Sequence, residues 1–231
     1  MNLTLLDLFE RLEVDRAVIF GLLTRIWGLC AGPVTAILIA THFTPILQGY
    51  YYTFATILAL QIFVELGLGT VIIQFASHEW STLEMDKDGG ISGNRDALTR
   101  LISIADIAKK WYLIGGALVA IGLSIGGYIF FSSSADHGVG WIWPWLFLCL
   151  ITGILICLVP IWSLLEGCNQ VAELYTFRFF QGAVGTTTTW IAILSGAELW
   201  TAFIAGTAGL CCSLFFLKRR YLALVSTIST L

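Results

Sequence analysis

Charge is scarce in this sequence. Asp, Glu, Lys and Arg make up 12 % of its 231 residues, whereas a soluble domain carries roughly a quarter. The 12 basic and 15 acidic residues leave a net charge of −3, which excludes a basic nucleic-acid-binding module. Metal-ligand and nucleotide motifs are also missing. The three histidines, His42, His78 and His137, fall in different loops without ligand spacing, so no metal is expected. The six cysteines form no Cys-x-x-Cys pair. Five lie in apolar stretches, where they act as small hydrophobes, and the composition is not that of a disulfide-built secreted domain. Gly89, Gly90 and Gly93 are not followed by Lys-Ser or Lys-Thr, so there is no phosphate loop and no sign of an ATPase. No cofactor is expected, and no internal repeat is visible.

What the chain has instead is apolar bulk. The hydrophobic share is 58 %, with nine Trp and fifteen Phe, and the mean hydropathy is +0.86. Disorder is excluded, and so few polar groups cannot cover a soluble fold. The composition is that of an all-α, polytopic membrane protein. Six stretches are long enough to cross: 17–40, 48–75, 111–131, 141–165, 174–194 and 199–217. None alternates with period two, and each far exceeds the roughly 10 residues of a barrel strand. Helices are the remaining way to satisfy a backbone in lipid.

The loops agree. Arg11, Arg16, Lys87, Arg95, Arg100, Lys109, Lys110, Lys218, Arg219 and Arg220 all fall on one side of a six-span arrangement, and none on the other. The positive-inside rule then places both termini in the cytoplasm. Tyr50–Tyr52 and Trp141, Trp143 and Trp145 read as an outer aromatic belt.

Residues 1–16 mix Asp7, Glu10, Glu13 and Asp15 with Leu5, Leu8, Phe9 and Leu12 at helical spacing. This is not a signal peptide, which carries a basic start. It reads as an interfacial amphipathic helix, with Asp15 as a cap for span one. Residues 17–217 form the six-helix bundle and 218–231 a cytoplasmic tail. The longest polar segment, 77–110, is cytoplasmic; 86–94 reads as a flexible loop, and 95–110 as an amphipathic helix on the inner leaflet.

Ionisable groups within spans are the candidates for function. Arg25 lies about 12 Å into span one, and Glu65 about 15 Å from the inner end of span two. Their similar depth suggests either a shared polar cavity or a structural ion pair. Arg178 lies about 6 Å into span five, within reach of the headgroups by snorkelling. Gly21, Arg25, Gly28 and Gly32 share a face of span one, followed by a bend expected at Pro33. Gln61 and Glu65 share a face of span two, which Gly67 and Gly69 loosen. Arg178, Gln181, Gly182, Gly185 and Thr189 share a face of span five. These faces are either cavity walls or seams of small residues for close packing. The run Thr186–Thr189 reads as packing, with hydroxyls bonded back to the helix. Asp86-Lys87-Asp88 matches the Asp-x-Asp pattern of metal-dependent glycosyltransferases, but in a loop too short for a sugar-nucleotide domain.

The ordered set Pro45 to Phe54, Leu60-Gln61, Glu65-Leu66-Gly67-Leu68 and Gln74-Phe75 resembles the second helix of the polysaccharide and O-antigen flippases. These belong to the multidrug/oligosaccharidyl-lipid/polysaccharide exporter superfamily. Gly49, Tyr51 and Glu65 to Leu68 occupy the places of that family's Gly-x-Tyr start and acidic-Leu-Gly-Leu element. Leu165-Glu166-Gly167 with Asn169 resembles its turn between helices four and five, and Lys218 to Arg220 its basic cluster after helix six. The resemblance spans residues 10–220. It implies an N-terminal six-helix bundle in the bacterial inner membrane that flips polyprenyl-diphosphate-linked oligosaccharides, with no enzymatic step. Arg25 matches by location the cavity arginines of helix one in the related lipid II flippase. Family members carry about twelve to fourteen helices in two pseudo-symmetric bundles, a construction common among transporters. The implied partner is therefore a second bundle, either a C-terminal half or another copy. A membrane-embedded glycan-assembly enzyme and a non-catalytic half-transporter or scaffold subunit are the alternatives.

Overall fold

The computed structural model describes residues 5–65, 67–85, 91–133 and 139–220, with 5–15, 85 and 220 described by backbone alone. The architecture is all-α apart from one short hairpin. The elements are α1 (Leu5–His42), α2 (Pro45–Leu58), a 3-10 turn (Ala59–Gln61), α3 (Ile62–Glu65), α4 (Leu68–Trp80), β1 (Leu83–Met85), β2 (Ile91–Gly93), α5 (Arg95–Ser133), α6 (Ile142–Gly167), α7 (Val171–Leu194) and α8 (Trp200–Arg220). Among the described residues, α1 from Arg16, α5, α6 and α8 are long and apolar enough to span a membrane. The bent pair of 45–65 and 68–80 makes a fifth. The expected sixth, α7, has 24 residues, about 36 Å at the helical rise. Its threonines, Glu173 and Arg178 leave it less apolar than the others.

Several boundaries differ from the sequence reading. No break separates residues 5–16 from span one, so Asp15 lies inside α1 and not at the start of a helix. Pro33 also lies within α1 without interrupting it. The segment 95–110 does not lie apart on the leaflet, because α5 continues for 39 residues, about 58 Å, into span three. Its apolar stripe is covered by protein instead of lipid. Ala97, Leu101, Ala105 and Ala108 pack with Ile72 and Ala76 of α4 and Leu83 of β1 in one cluster. Asn94 starts the helix, its Oδ1 accepting the amide hydrogens of Asp96 (2.8 Å) and Ala97 (3.4 Å).

The expected loop contains a strand. β1 and β2 pair antiparallel, with Leu83 opposite Gly93. Gly93 has φ 130°, and a Cβ there would stand 2.5 Å from the Thr82 carbonyl oxygen, so the close of the hairpin requires glycine. The loop between the strands, with Asp86 and Asp88, lies outside the described residues.

Span two is not one helix. Thr44 caps α2, accepting from the Leu47 amide at 3.3 Å, and Pro45 occupies the first turn, where its missing N–H costs nothing. The helix then tightens into the 3-10 turn and stops at Glu65. Gly67, with φ 76°, restarts it as α4, and the two parts are bent by 43°.

α6 is the hub, packed against α4, α5 and α8. α7 bridges α8 to α1, so α1 joins the bundle almost entirely through α7. The α5–α6 crossing brings backbones together. A Cβ on Gly116 would stand 2.6 Å from the Gly153 oxygen, and one on Gly153 2.7 Å from the Gly116 oxygen. Further along, Gly127 receives the Trp145 indole. Trp145, expected in the outer belt, is 0 % exposed and donates from Nε1 to the Leu123 carbonyl at 3.2 Å. Trp141 and Tyr50 are buried with it, around Phe54 and Phe131. Trp143 alone of the three tryptophans faces outward. These rings form a core by packing on one another, with Phe131 within 5.5 Å of Tyr50, Phe54, Trp141 and Trp145 between ring centres.

Candidate functional site

The polar residues of the spans separate into three places. The first is the outer face of α1. One side of this helix forms a seam with α7. Phe20 meets Phe179 and Phe180, and Trp27 packs 6.0 Å from Trp190. Trp27 Nε1 donates to Thr186 Oγ1 at 3.4 Å, and Trp190 Nε1 donates to Thr35 Oγ1 at 2.8 Å. Thr186, Thr187 and Thr189 donate back to the carbonyls of Gly182, Ala183 and Gly185 at 2.9 Å, as their spacing suggests. Gly21 faces this seam, where a Cβ would stand 3.3 Å from the Tyr175 ring. The rest of the glycine stripe does not. Gly28 and Gly32 have open space where a Cβ would go, and Arg25 is exposed beside them. Gly182 and Gly185 of α7 are likewise open.

Arg25 and Glu65 do not pair. The ion pairs among the described residues are Arg100–Glu79, Lys110–Asp106 and Arg178–Glu166. The reason is topological: consecutive helices α1 and α2 barely touch, since α1 is held by α7. Equal depth does not bring two side chains together when their helices are not neighbours.

The second place is the break in span two. Gln61 ends the 3-10 turn and Glu65 ends α3, both half-buried. The break backs onto α5 and α6. Val64 sits against Gly115, and Gly69 lies beside Ser163 and the Tyr112 hydroxyl. Tyr112 is 0 % exposed, and its hydroxyl faces the Gly69 backbone at the break. Glu65 acts on Tyr112 electrostatically. Gly67 and Gly69 thus do more than loosen the helix: one makes the turn and the other admits the α6 surface.

The third place is the inner part of α7. Arg178 is exposed and pairs with Glu166 at 3.4 Å across the α6–α7 turn, with its guanidinium 5.7 Å from the Tyr175 ring centre. Gln181 points to α8, where Nε2 donates to the Gly209 carbonyl (3.0 Å) and to buried Ser213 Oγ (2.8 Å). It also lines a cleft of about 540 Å³ between α7, α8 and Arg16 of α1. Arg178 and Gln181 share a face by spacing yet serve different neighbours.

Some contributors carry weaker signals in the sequence. Trp27 and Trp190 sit mid-span, where an indole N–H needs a partner, and that demand is the clue to the α1–α7 seam. Glu79 is buried and receives Arg100 Nε at 3.0 Å and Nη2 at 2.8 Å, clamping α4 to α5. Cys168, at the end of α6, is 2 % exposed, and burial pushes its thiol up to about 12. It has no reactive thiolate at neutral pH. Among the described residues no group of three or more His, Cys, Asp or Glu is placed to hold a metal ion.

Comparison with known proteins adds no relative: no protein family, no curated protein and no solved structure matches the chain.

Proposed function

We propose that the chain is a six-span bundle of a flippase of the multidrug/oligosaccharidyl-lipid/polysaccharide exporter type. In this reading α7 is the sixth span, and the charge bias of the loops puts both termini in the cytoplasm of a bacterial inner membrane. It moves polyprenyl-diphosphate-linked oligosaccharides, such as O-antigen units, between leaflets and catalyses no bond change. The observation that carries the reading is the outer face of α1. It presents Arg25, in no ion pair among the described residues, beside Gly28 and Gly32, with no described helix over them. An intramembrane arginine is costly in lipid, and a guanidinium suits a diphosphate through its planar fork. A second bundle opposite α1 would turn this face into a cavity wall. The broken span two, with Gln61 and Glu65 at its bend, fits the discontinuous helices that transporters use near the bilayer middle.

Transfer of a fluorescent polyprenyl-diphosphate sugar in proteoliposomes tests the reading. Wild-type protein, supplied with its second bundle if one is required, should transfer the lipid, and Arg25→Ala should abolish transfer. Equal transfer by Arg25→Ala and wild type would overturn it. The same uncovered face favours one further reading, a non-catalytic half that serves only to hold a partner bundle. That role predicts co-purification of the partner with no binding of the polyprenyl lipid.

A further inference from the structure

The cleft between α7 and α8 is built unevenly along its length. One end carries the charged groups: Arg16 at the membrane edge of α1, Glu173 in the first turn of α7 and Arg219 near the end of α8. The other end carries none. From Glu173 to Val184 the cleft follows α7 for eleven residues, about 16 Å at the helical rise. Over that distance its walls are Phe177, Phe180 and Val184 on one side and Phe215 and Phe216 on the other. Phe180, Phe215 and Val184 are exposed by 56, 66 and 40 %. The floor is closed by the Gln181 bonds to α8 and by the stacked rings of Phe177 and Phe216, 4.3 Å apart.

Neither Arg16 nor Arg219 is in an ion pair among the described residues. The Arg16 guanidinium carbon rests 5.9 Å from the Phe20 ring centre, a contact that leaves its charge in place. Among the described side chains that line it, the charged end holds two guanidinium groups and one carboxylate, Glu173. A slot with a cationic head and an open apolar trunk complements one kind of molecule. We infer that this cleft binds a phosphate-bearing membrane lipid, with its phosphate held by Arg16 and Arg219 and one chain laid along Phe180, Val184 and Phe215. The head lies at the headgroup level and the trunk within the acyl region, so a lipid enters sideways without leaving its leaflet. The inference is independent of what the bundle transports, since it uses neither Arg25 nor Glu65.

Native mass spectrometry of the full chain released from detergent tests it, with phosphatidylglycerol and phosphatidylcholine offered at equal concentration. Phosphatidylglycerol should be retained in preference. The double substitution Arg16→Ala/Arg219→Ala should remove that preference, a drop of roughly tenfold or more. Arg16→Lys/Arg219→Lys should restore part of it, which separates lost charge from lost folding. Val184→Trp, which fills the trunk and leaves both arginines, should weaken retention of phosphatidylglycerol. An unchanged preference in the double alanine variant would overturn the inference. Displacement of the lipid by excess inorganic phosphate, with Val184→Trp silent, would also overturn it by showing a site for the free anion alone.

Discussion

α6 and α1 are both long apolar helices, and they stand in opposite relations to the bundle. In α6, 56 % of the most apolar window is buried inside the protein; in α1 the share is 11 %. α6 touches α4, α5 and α8, and reaches α5 so closely that Gly116 and Gly153 meet backbone to backbone. α1 touches mainly α7, along a line of rings and two indole hydrogen bonds. The difference matters because lipid is as apolar as leucine. Hydrophobicity puts a helix into the membrane but does not say which side of it meets protein. That choice falls to small residues, which permit contact, and to polar groups, which require it. α6 uses glycine to become a hub. α1 uses Trp27 and Thr35 for a single seam, and leaves Gly28, Gly32 and Arg25 facing away.

The contrast can be broken most severely at the hub. Gly153→Leu drives a side chain into the Gly116 carbonyl, and neither backbone can yield without separating α5 from α6. It should cost at least about 3 kcal/mol. The variant should lose its monodisperse elution and its thermal transition in detergent; a transition near that of wild type would remove α6 from its place as hub.

The α1–α7 seam should be far more tolerant. Trp190→Phe keeps most of the ring and loses the bond to Thr35, whose hydroxyl still donates to the Ala31 carbonyl at 2.8 Å. The expected loss is about 1 kcal/mol. A double-mutant cycle with Thr35→Val, read by thermal denaturation, should assign most of that loss to the pair.

The smallest effect on stability is expected on the open face. A Cβ on Gly32 meets no described atom within 4 Å, so in Gly32→Leu stability should stay the same or rise by up to about 1 kcal/mol from helix propensity. Crosslinking through a cysteine at the same position should capture whatever covers α1. A marked fall in melting temperature for Gly32→Leu would mean that this face is already packed within the isolated chain, and the comparison with α6 would collapse.

How far the sequence could be read differs from residue to residue. The apolar stretches are legible because desolvating a peptide group is costly in any lipid, whatever surrounds it. The back-bonded Thr186, Thr187 and Thr189 are legible for a similar reason, because their partners lie one turn away. Gly67 announces its turn because few other residues accept a positive φ. The Arg25–Glu65 pair is different. Depth can be counted along each helix, but adjacency cannot, and α1 chose α7 over α2. The same gap moved Trp145 and Tyr50 from an aromatic belt to a core, since a ring at the membrane edge looks identical in sequence whether it turns outward or inward. Arg178 and Gln181, three residues apart, went to the α6–α7 turn and to α8 because an i, i+3 face spans two neighbours.

The one-dimensional pattern therefore determined what is local: a membrane composition, long helices in place of barrel strands, a loosening of span two at Gly67 and Gly69, and a charge bias along the loops. Tertiary structure decided what is relational. It set which helix lies beside which, joined 95–110 to span three by covering part of its stripe with α4, left Arg25 outside the ion pairs of the described residues, and set Arg16 and Arg219 at one end of an open cleft. Local features are governed by energies that each residue carries with it, whereas neighbours in a membrane are chosen by small differences in fit between surfaces that are all equally apolar.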